Sequence, residues 1–153
     1  ERLNMLMYDD LKSAEQFISM VYLQILSGTK KWSRSIKYTT AGHYPPLILQ
    51  DGGFISHSTE DVLIGVERYP EFHEKMVEIR KGDVIVLYTD GLIDAANAQG
   101  KRFGMDRLKG LVKNGRGLSA KKLVDLLCGE VQRFAGKRTI ADDVTIVVLK
   151  AVE

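Results

Sequence analysis

GDVIVLYTDGLIDA, residues 82 to 95, joins an apolar strand to a carboxylate at the end of that strand. The run from Val84 to Tyr88 is apolar without interruption, which predicts a central strand. Thr89-Asp90-Gly91 then breaks the run with a turn and leaves Asp90 at the strand end. A buried strand would hold this carboxylate rigidly, as a metal or phosphoryl site requires.

A second segment, ADDVTIVVLK from Ala141 to Lys150, places two carboxylates before another apolar strand. Because adjacent residues on a strand point to opposite faces, only one of Asp142 and Asp143 is expected to share a cavity with Asp90. Asp and Gly also build ordinary turns, and either segment alone is more often turn chemistry than a site. The two segments together are more specific.

The rest of the chain predicts an α+β fold, because strands follow one another in hairpin succession and two helices come late. Asp51-Gly52-Gly53 is a hairpin signal, Ser119 is an expected helix N-cap, and Gly136 is an expected helix stop. The predicted elements are a helix over 2–11 with Leu3, Leu6, Met7 and Leu11 on its apolar face, a turn over 27–30, strands over 17–26, 36–40, 46–50, 54–57, 76–80 and 84–88, a helix with Phe103, Leu108, Leu111 and Val112, and a helix with Val124, Leu127, Val131 and Phe134.

Several motifs in fixed order resemble the PPM metal-dependent protein phosphatases, in particular the bacterial SpoIIE-like branch that includes the sigma-factor-regulating phosphatases. The matching motifs span nearly the whole chain, and their order makes the resemblance stronger than a single motif would. They are FISMVY at 17–22, AGHYPP at 41–46, IGV at 64–66, GDVIVLYTDG at 82–91, FG at 103–104 and DDVT at 142–145.

The resemblance implies hydrolysis of phosphoserine or phosphothreonine by water bound between two Mg²⁺ or Mn²⁺ ions, on a layered α/β/β/α sandwich. Hard divalent cations prefer oxygen ligands, so a few carboxylates suffice. By position, Asp90 and Asp142 match the two C-terminal metal-ligating aspartates of the family. Gly91 and Asp143 are expected to support the site.

The chain also departs from the family pattern, because it contains no GDxSGHG-type segment, which in relatives supplies the aspartate that bridges both metals. We therefore expect residues 1–153 to form a single domain that is N-terminally truncated, with the first strands missing and the metal site incomplete. An unpaired sheet edge would follow, and a homodimer through that edge is one expectation.

Two further residues leave alternatives open. His43 could act as a general acid, but a ring that bonds nearby backbone to fix the Ala41-Gly42-His43 turn is the preferred interpretation. Asp94 lies one helical turn after Asp90 and either supports the metal ligands or caps the turn, and relatives usually have Glu there. His57 and His73 lie in polar contexts without an evident partner, and Trp32 looks like a hairpin-tip aromatic.

Composition argues for a globular domain with its own core, since 44% of the 153 residues are hydrophobic. The single Cys128 is expected to be a buried, reduced thiol, and no apolar run is long enough to span a membrane, so we expect a cytoplasmic protein without membrane contact. Eleven Lys or Arg against three acidic residues between Lys101 and Arg138 give one basic region. Solvent-exposed faces of the two predicted helices explain most of this positive charge. The basic region could also bind an acidic or phosphorylated protein. No nucleic-acid-binding motif accompanies the basic residues, so we expect no nucleic-acid partner.

Three hypotheses for the function follow. The first is a piece of a SpoIIE-like serine/threonine phosphatase whose substrate is a small phosphorylated regulator of the anti-sigma-factor antagonist kind. The second is a non-catalytic module that keeps the fold and binds partners. The third is a fragment with no activity of its own. Retention of both Asp90 and Asp142 favours the first, on the expectation that these acids are buried.

Overall fold

The computed structural model of the protein describes residues 1–27, 34–55, 61–138 and 141–152. These residues form an α+β fold of four helices and seven strands, in agreement with the predicted class. Parts of the predicted 27–30 turn and 54–57 strand, together with Trp32 and His57, lie outside the described residues. In chain order the elements are α1 (Arg2–Ser13), β1 (Met20–Ser27), β2 (Arg34–Ala41), β3 (Leu47–Gln50), β4 (Gly53–Ile55), β5 (Lys75–Ile79), β6 (Val84–Tyr88), α2 (Asp90–Asp94), α3 (Met105–Asn114), α4 (Ala120–Ala135) and β7 (Ile146–Lys150).

The chain divides into two compact units. The first comprises residues 1–45 and 57–79 and contains α1 and an antiparallel sheet in the order β1-β2-β5. A small apolar cluster of Leu11, Ala41 and Ile64 lies in this unit. Among the described residues β1 pairs only with β2, so β1 is an edge strand of this sheet, and a homodimer through it stays a prediction.

Helix α1 buries part of the predicted face. Leu11 is buried and Met7 packs against its cluster, as predicted, whereas Leu3 and Leu6 are exposed and Asn4 is buried in their stead. The Asn4 amide donates hydrogen bonds to the carbonyls of Glu67 (2.9 Å) and Arg68 (3.1 Å), and its oxygen accepts one from the Gly65 N–H (2.9 Å). These bonds satisfy a buried polar side chain and fix the rotation of the helix, so that the apolar pattern is right for Met7 and Leu11 and wrong for Leu3 and Leu6.

The second unit comprises residues 46–56 and 80–153 and contains an antiparallel sheet in the order β4-β3-β6-β7. Strand β6 is central, as predicted, and Val84 and Val86 are fully buried. The predicted hairpin joins β3 to β4 through Asp51 and Gly52, whose φ angles of 50° and 79° give the positive values that a two-residue hairpin turn needs. Helices α3 and α4 contribute Leu108, Val112, Leu123, Leu127 and Val131 to the core of this unit.

Helix α4 begins and ends at the predicted residues. The Ser119 hydroxyl accepts a hydrogen bond from the Lys122 N–H, and Gly136 follows the helix with a φ of 65°. Its buried face is Leu123, Leu127, Val131 and Ala135, so the predicted Val124 and Phe134 lie at the margin of the core. Cys128 is half-buried rather than buried, because it lies beside that face. Among the described residues, no helix combines the length and apolar character needed to cross a membrane.

Candidate metal centre

Asp90 is held at the junction between β6 and the short helix α2. The strand ends at Tyr88, Thr89 is the N-cap position, and Asp90 is the first helical residue. One carboxylate oxygen of Asp90 accepts a hydrogen bond from the Gly91 N–H (3.0 Å). Leu92 and Ile93 are buried in the core and anchor α2, whereas the Asp90 side chain is exposed. A rigid backbone thus presents a solvent-accessible carboxylate.

Asp142 and Asp143 precede strand β7 rather than lying on it. The strand begins at Ile146, which pairs with Tyr88, and residue 142 lies in a bend. The Asp142 carboxylate accepts a hydrogen bond from the Asp143 N–H (2.8 Å). The alternation of strand side chains therefore does not apply to these two aspartates, and the expectation that they point to opposite faces has no structural basis here.

Thr89 joins the two carboxylate segments. Its N–H donates to the carbonyl of Thr145 (3.2 Å), and its hydroxyl donates to the carbonyl of Asp143 (2.8 Å). The same hydroxyl accepts a hydrogen bond from the Thr145 N–H (2.9 Å). Sequence reasoning missed this role of Thr89, although a hydroxyl residue at the end of a strand beside an aspartate is a detectable signal.

Gly91 lets the two segments approach closely. A Cβ at this position would stand 2.5 Å from the carbonyl oxygen of Asp143 and 3.1 Å from that of Asp142. No side chain fits at such a separation, so a residue without Cβ is required for this approach. The role of Gly91 in supporting a metal site stays a prediction, for which this close approach gives a steric reason. The backbone of Asp142 lies against the residue that follows Asp90.

The donor atoms at this edge are carboxylate oxygens, which suit Mg²⁺ and Mn²⁺. Asp90, Asp142 and Asp143 are all exposed, contrary to the expectation of buried acids. Within the described ranges, no group of three or more His, Cys, Asp or Glu side chains is placed to hold a metal ion. The two segments therefore fit part of a ligand set for a hard divalent cation.

Asp94 lies at the last position of α2 and forms an ion pair with Arg102 (2.9 Å). Because residues four apart lie on the same face of a helix, Asp94 is on the face that carries Asp90. Its carboxylate is engaged by the Arg102 guanidinium, a partner that neither expectation named, and its support of the metal ligands stays a prediction. The ion pair ties α2 to the segment before α3.

The remaining histidines belong to the first unit. The His43 ring forms a hydrogen bond with the Ser19 hydroxyl (3.2 Å), a side chain rather than the nearby backbone that was expected. His73 has a partner that the sequence did not reveal, because its backbone N–H (2.9 Å) and its ring (2.8 Å) both bind the carboxylate of the buried Asp61. The role of His43 as a general acid stays a prediction.

The family model for Stage II sporulation protein E (SpoIIE) matches residues 1–152. The chain belongs to the SpoIIE family. Among curated protein sequences, no match to this SpoIIE-family chain was found.

Solved structures show the fold of this SpoIIE-family chain. The SiaA-PP2C domain of Pseudomonas aeruginosa has a TM-score of 0.67 at 19% identity, with 76% of this chain and 46% of that chain covered. The SpoIIE phosphatase domain of Bacillus subtilis, presoaked with Mn, has a TM-score of 0.64 at 17% identity, with 98% and 64% covered. The catalytic domain of the phosphatase PstP in complex with two manganese ions has a TM-score of 0.59 at 17% identity, with 98% and 67% covered.

These likenesses establish the α+β fold of the PPM phosphatases, as the motifs indicated. The chain spans 46% to 67% of the length of the three structures.

Proposed function

We propose that the chain forms part of a metal-dependent protein serine/threonine phosphatase in which Asp90 and Asp142 bind the metal. The observation that carries the proposal is the joining of their two segments by Thr89 and by the close approach at Gly91. Membership of the SpoIIE family supports it independently. Two carboxylates that are distant in the sequence are thereby held at one end of the same sheet.

The residues of this chain would position the metal ions, and the metal ions would supply the chemical reactivity for hydrolysis. Bound Mg²⁺ or Mn²⁺ ions would provide a water nucleophile near neutral pH and stabilise charge on the phosphoryl oxygens. The Asp90 and Asp142 carboxylates each accept a hydrogen bond from the next backbone N–H, which restricts their rotation. Such preorganisation lowers the entropy cost of assembling a site.

The proposal includes a ligand that this chain does not supply. Two carboxylates compensate only half of the charge of two divalent ions, and the matched phosphatase structures are longer than this chain. We place the chain within a longer phosphatase domain in the full-length protein. On its own it would hydrolyse phosphate esters feebly, because the missing ligand would also position the attacking water.

The substrate that we propose is a small phosphorylated regulatory protein of the anti-sigma-factor antagonist kind, in the cytoplasm. The support is the resemblance of the motifs to the branch that regulates sigma factors. A basic region over residues 101–138 would favour an acidic phosphoprotein over a cationic one.

A second candidate is a non-catalytic interaction module with the same fold. The observation that favours it is the lack of any cluster of three or more ligand side chains among the described residues. The candidate aspartates are also exposed, so water solvates their negative charge and no bound cation is needed to compensate it.

Mn²⁺-dependent hydrolysis of p-nitrophenyl phosphate, measured on the chain and on the full-length protein in parallel, separates the two candidates. We expect turnover by the full-length protein and little by the chain. Asp90→Asn and Asp142→Asn in the full-length protein should each lower turnover by orders of magnitude. Full-length protein without Mn²⁺-dependent turnover on p-nitrophenyl phosphate and on phosphoserine peptides would favour the interaction module, and equal turnover by chain and full-length protein would contradict the missing ligand.

A further inference from the structure

An open groove of about 440 Å³ lies between helices α3 and α4, and two phenylalanine rings form its floor. Phe103 and Phe134 pack edge to face, with ring centroids 5.5 Å apart and an interplanar angle of 77°. Leu111 completes the apolar surface of the groove. A groove of this volume accommodates one or two side chains of a docked segment.

Two arginines border this floor. Arg107 lies over the Phe134 ring, with its guanidinium carbon 4.4 Å from the ring centroid, and donates hydrogen bonds to the carbonyls of Arg102 (3.1 Å) and Phe103 (2.9 Å). Arg133 pairs with Glu130 on the same helix, and 72% of its side chain remains exposed. Glu130 also lines the groove, so two guanidinium groups and one carboxylate border the apolar floor and leave it with a net positive charge.

The positive charge continues beyond the groove towards α2. A second concavity of about 410 Å³ shares Phe103 and Arg107 with the groove and is also lined by Lys101 and Arg102. Arg102 pairs with Asp94, which lies on the face of α2 that carries Asp90. Asp106 also lines this concavity, and its three cations against one carboxylate leave a net positive surface between the groove and the helix that begins with the candidate metal ligand.

We propose that the groove between α3 and α4 docks an acidic segment of the phosphoprotein substrate. One apolar side chain of that segment enters beside Phe134, and its acidic side chains contact Arg133 and Arg107. The inference rests on the proposed function, since it assigns the substrate a second contact remote from the phosphoryl group. Docking of this kind raises the effective concentration of the phosphoryl group near the metal ligands.

Charge and geometry favour this occupant over two others. A second copy of the chain docked through the same groove would bring basic surface against basic surface, which costs free energy. A nucleic-acid base would need the open face of an aromatic ring, and Arg107 already covers one face of Phe134. An acidic peptide with an apolar anchor satisfies both the arginines and the floor.

Two pairs of variants in the full-length protein test the groove. Gly110 lines it, and a Cβ there would meet no atom within 4 Å, so Gly110→Leu places a side chain in the groove without a backbone clash. Gly129 on α4 has the same open space and does not line the groove, which makes Gly129→Leu the matched control. Arg133→Glu reverses a charge at the rim, and Lys121→Glu reverses one in an ion pair elsewhere on α4.

The first readout is binding without catalysis. A fluorescein-labelled peptide with one phosphoserine, four Glu and one Leu is titrated by anisotropy in EDTA, beside the same peptide with Gln in place of Glu. Gly110→Leu and Arg133→Glu should weaken binding of the Glu peptide by about tenfold or more, equivalent to ~1.4 kcal/mol. The two controls should stay within about twofold, and added salt should weaken binding by screening.

The second readout is kinetic. The two groove variants should raise KM for the phosphopeptide and leave hydrolysis of p-nitrophenyl phosphate unchanged, because this small ester does not reach the groove. Absent turnover on both substrates would refute the proposed function, while the anisotropy result would still decide on the groove.

Four results would overturn the docking inference. One is equal binding of the Glu and Gln peptides. Another is equal loss in groove variants and controls. The third is displacement of the bound peptide by single-stranded RNA of the same length at lower concentration, which would assign the groove to nucleic acid. The fourth is concentration-dependent self-association that Gly110→Leu abolishes, which would assign the groove to a second copy of the chain.

Discussion

Gly91 lies against the backbone of Asp143, and a Cβ at position 91 would stand 2.5 Å from the Asp143 carbonyl oxygen. This contact brings the segment before β7 against the start of α2. The two aspartates assigned to the metal belong to these two segments. The packing of Gly91 therefore brings the backbone of the segment that contains Asp142 against the residue after Asp90.

Gly91→Ala should destabilise the protein by about 1–3 kcal/mol, because the added methyl group meets backbone atoms that cannot give way cheaply. Urea unfolding of both proteins measures this difference. Gly110→Ala is the matched control, since position 110 is also helical but, unlike position 91, has open space for a Cβ. This substitution should stabilise the protein by up to about 1 kcal/mol. If Gly91→Ala and Gly110→Ala stabilised the protein equally, the segment before β7 would not approach the start of α2 as described.

Thr89→Val should lower both stability and Mn²⁺ affinity of the full-length protein. Its hydroxyl bonds the Asp143 carbonyl and the Thr145 N–H, and valine removes both bonds while keeping the shape. The cost should be about 1 kcal/mol, since the groups left behind are accessible to water. Thr89→Ser keeps the hydroxyl and should behave like the unmodified protein. If Thr89→Val binds Mn²⁺ as tightly as Thr89→Ser, the hydroxyl has no part in holding the site.

Local signals explain which elements could be predicted. The apolar run of β6, the Ser119 cap and the Asp51-Gly52 hairpin each depend on neighbours in the sequence, and the structure confirms all three. The chemistry of these residues is sufficient to specify them.

Contacts between distant residues explain the rest. The rotation of α1 depends on bonds from Asn4 to residues more than 60 positions away, and His73 meets an Asp61 carboxylate that no motif marks. The hydrogen bond from the Thr89 hydroxyl to the Asp143 carbonyl, next to the bend at Asp142, likewise joins segments more than 50 residues apart. Strand alternation was therefore the wrong rule for the Asp142-Asp143 pair.

Tyr38 gives the free energy of unfolding a pH dependence in alkaline solution. Burial raises the pKa of the Tyr38 phenol above its ordinary value of 10.0. Above about pH 10 the unfolded chain loses this proton while the folded protein keeps it, so the free energy of unfolding falls as pH rises. The contribution of one group is at most ~1.4 kcal/mol per pH unit. Below that window Tyr38 adds no pH dependence.

Tyr38→Phe should therefore show a shallower decline in the free energy of unfolding above pH 10 than the unmodified protein. Urea unfolding at intervals between pH 8 and pH 11 provides the comparison. Parallel declines in the two proteins would mean that Tyr38 ionises equally in the folded and unfolded states.

The assignment of Asp90 and Asp142 to the metal separates three aspartates that lie close together. Asp143 is expected to support the loop, and Asn in its place keeps an acceptor oxygen for a hydrogen bond. Asp143→Asn should consequently retain most of the metal affinity and activity. Asp90→Asn and Asp142→Asn should lose both without loss of folding, because removal of one carboxylate relieves repulsion between like charges.

Titration of the full-length protein with Mn²⁺, with free Mn²⁺ followed by electron paramagnetic resonance, tests this assignment most directly. The unmodified protein and Asp143→Asn should bind Mn²⁺ with similar affinity, whereas Asp90→Asn and Asp142→Asn should each bind it at least about tenfold more weakly. Unchanged Mn²⁺ affinity in Asp90→Asn and Asp142→Asn, or a greater loss in Asp143→Asn than in Asp142→Asn, would contradict the proposed metal site.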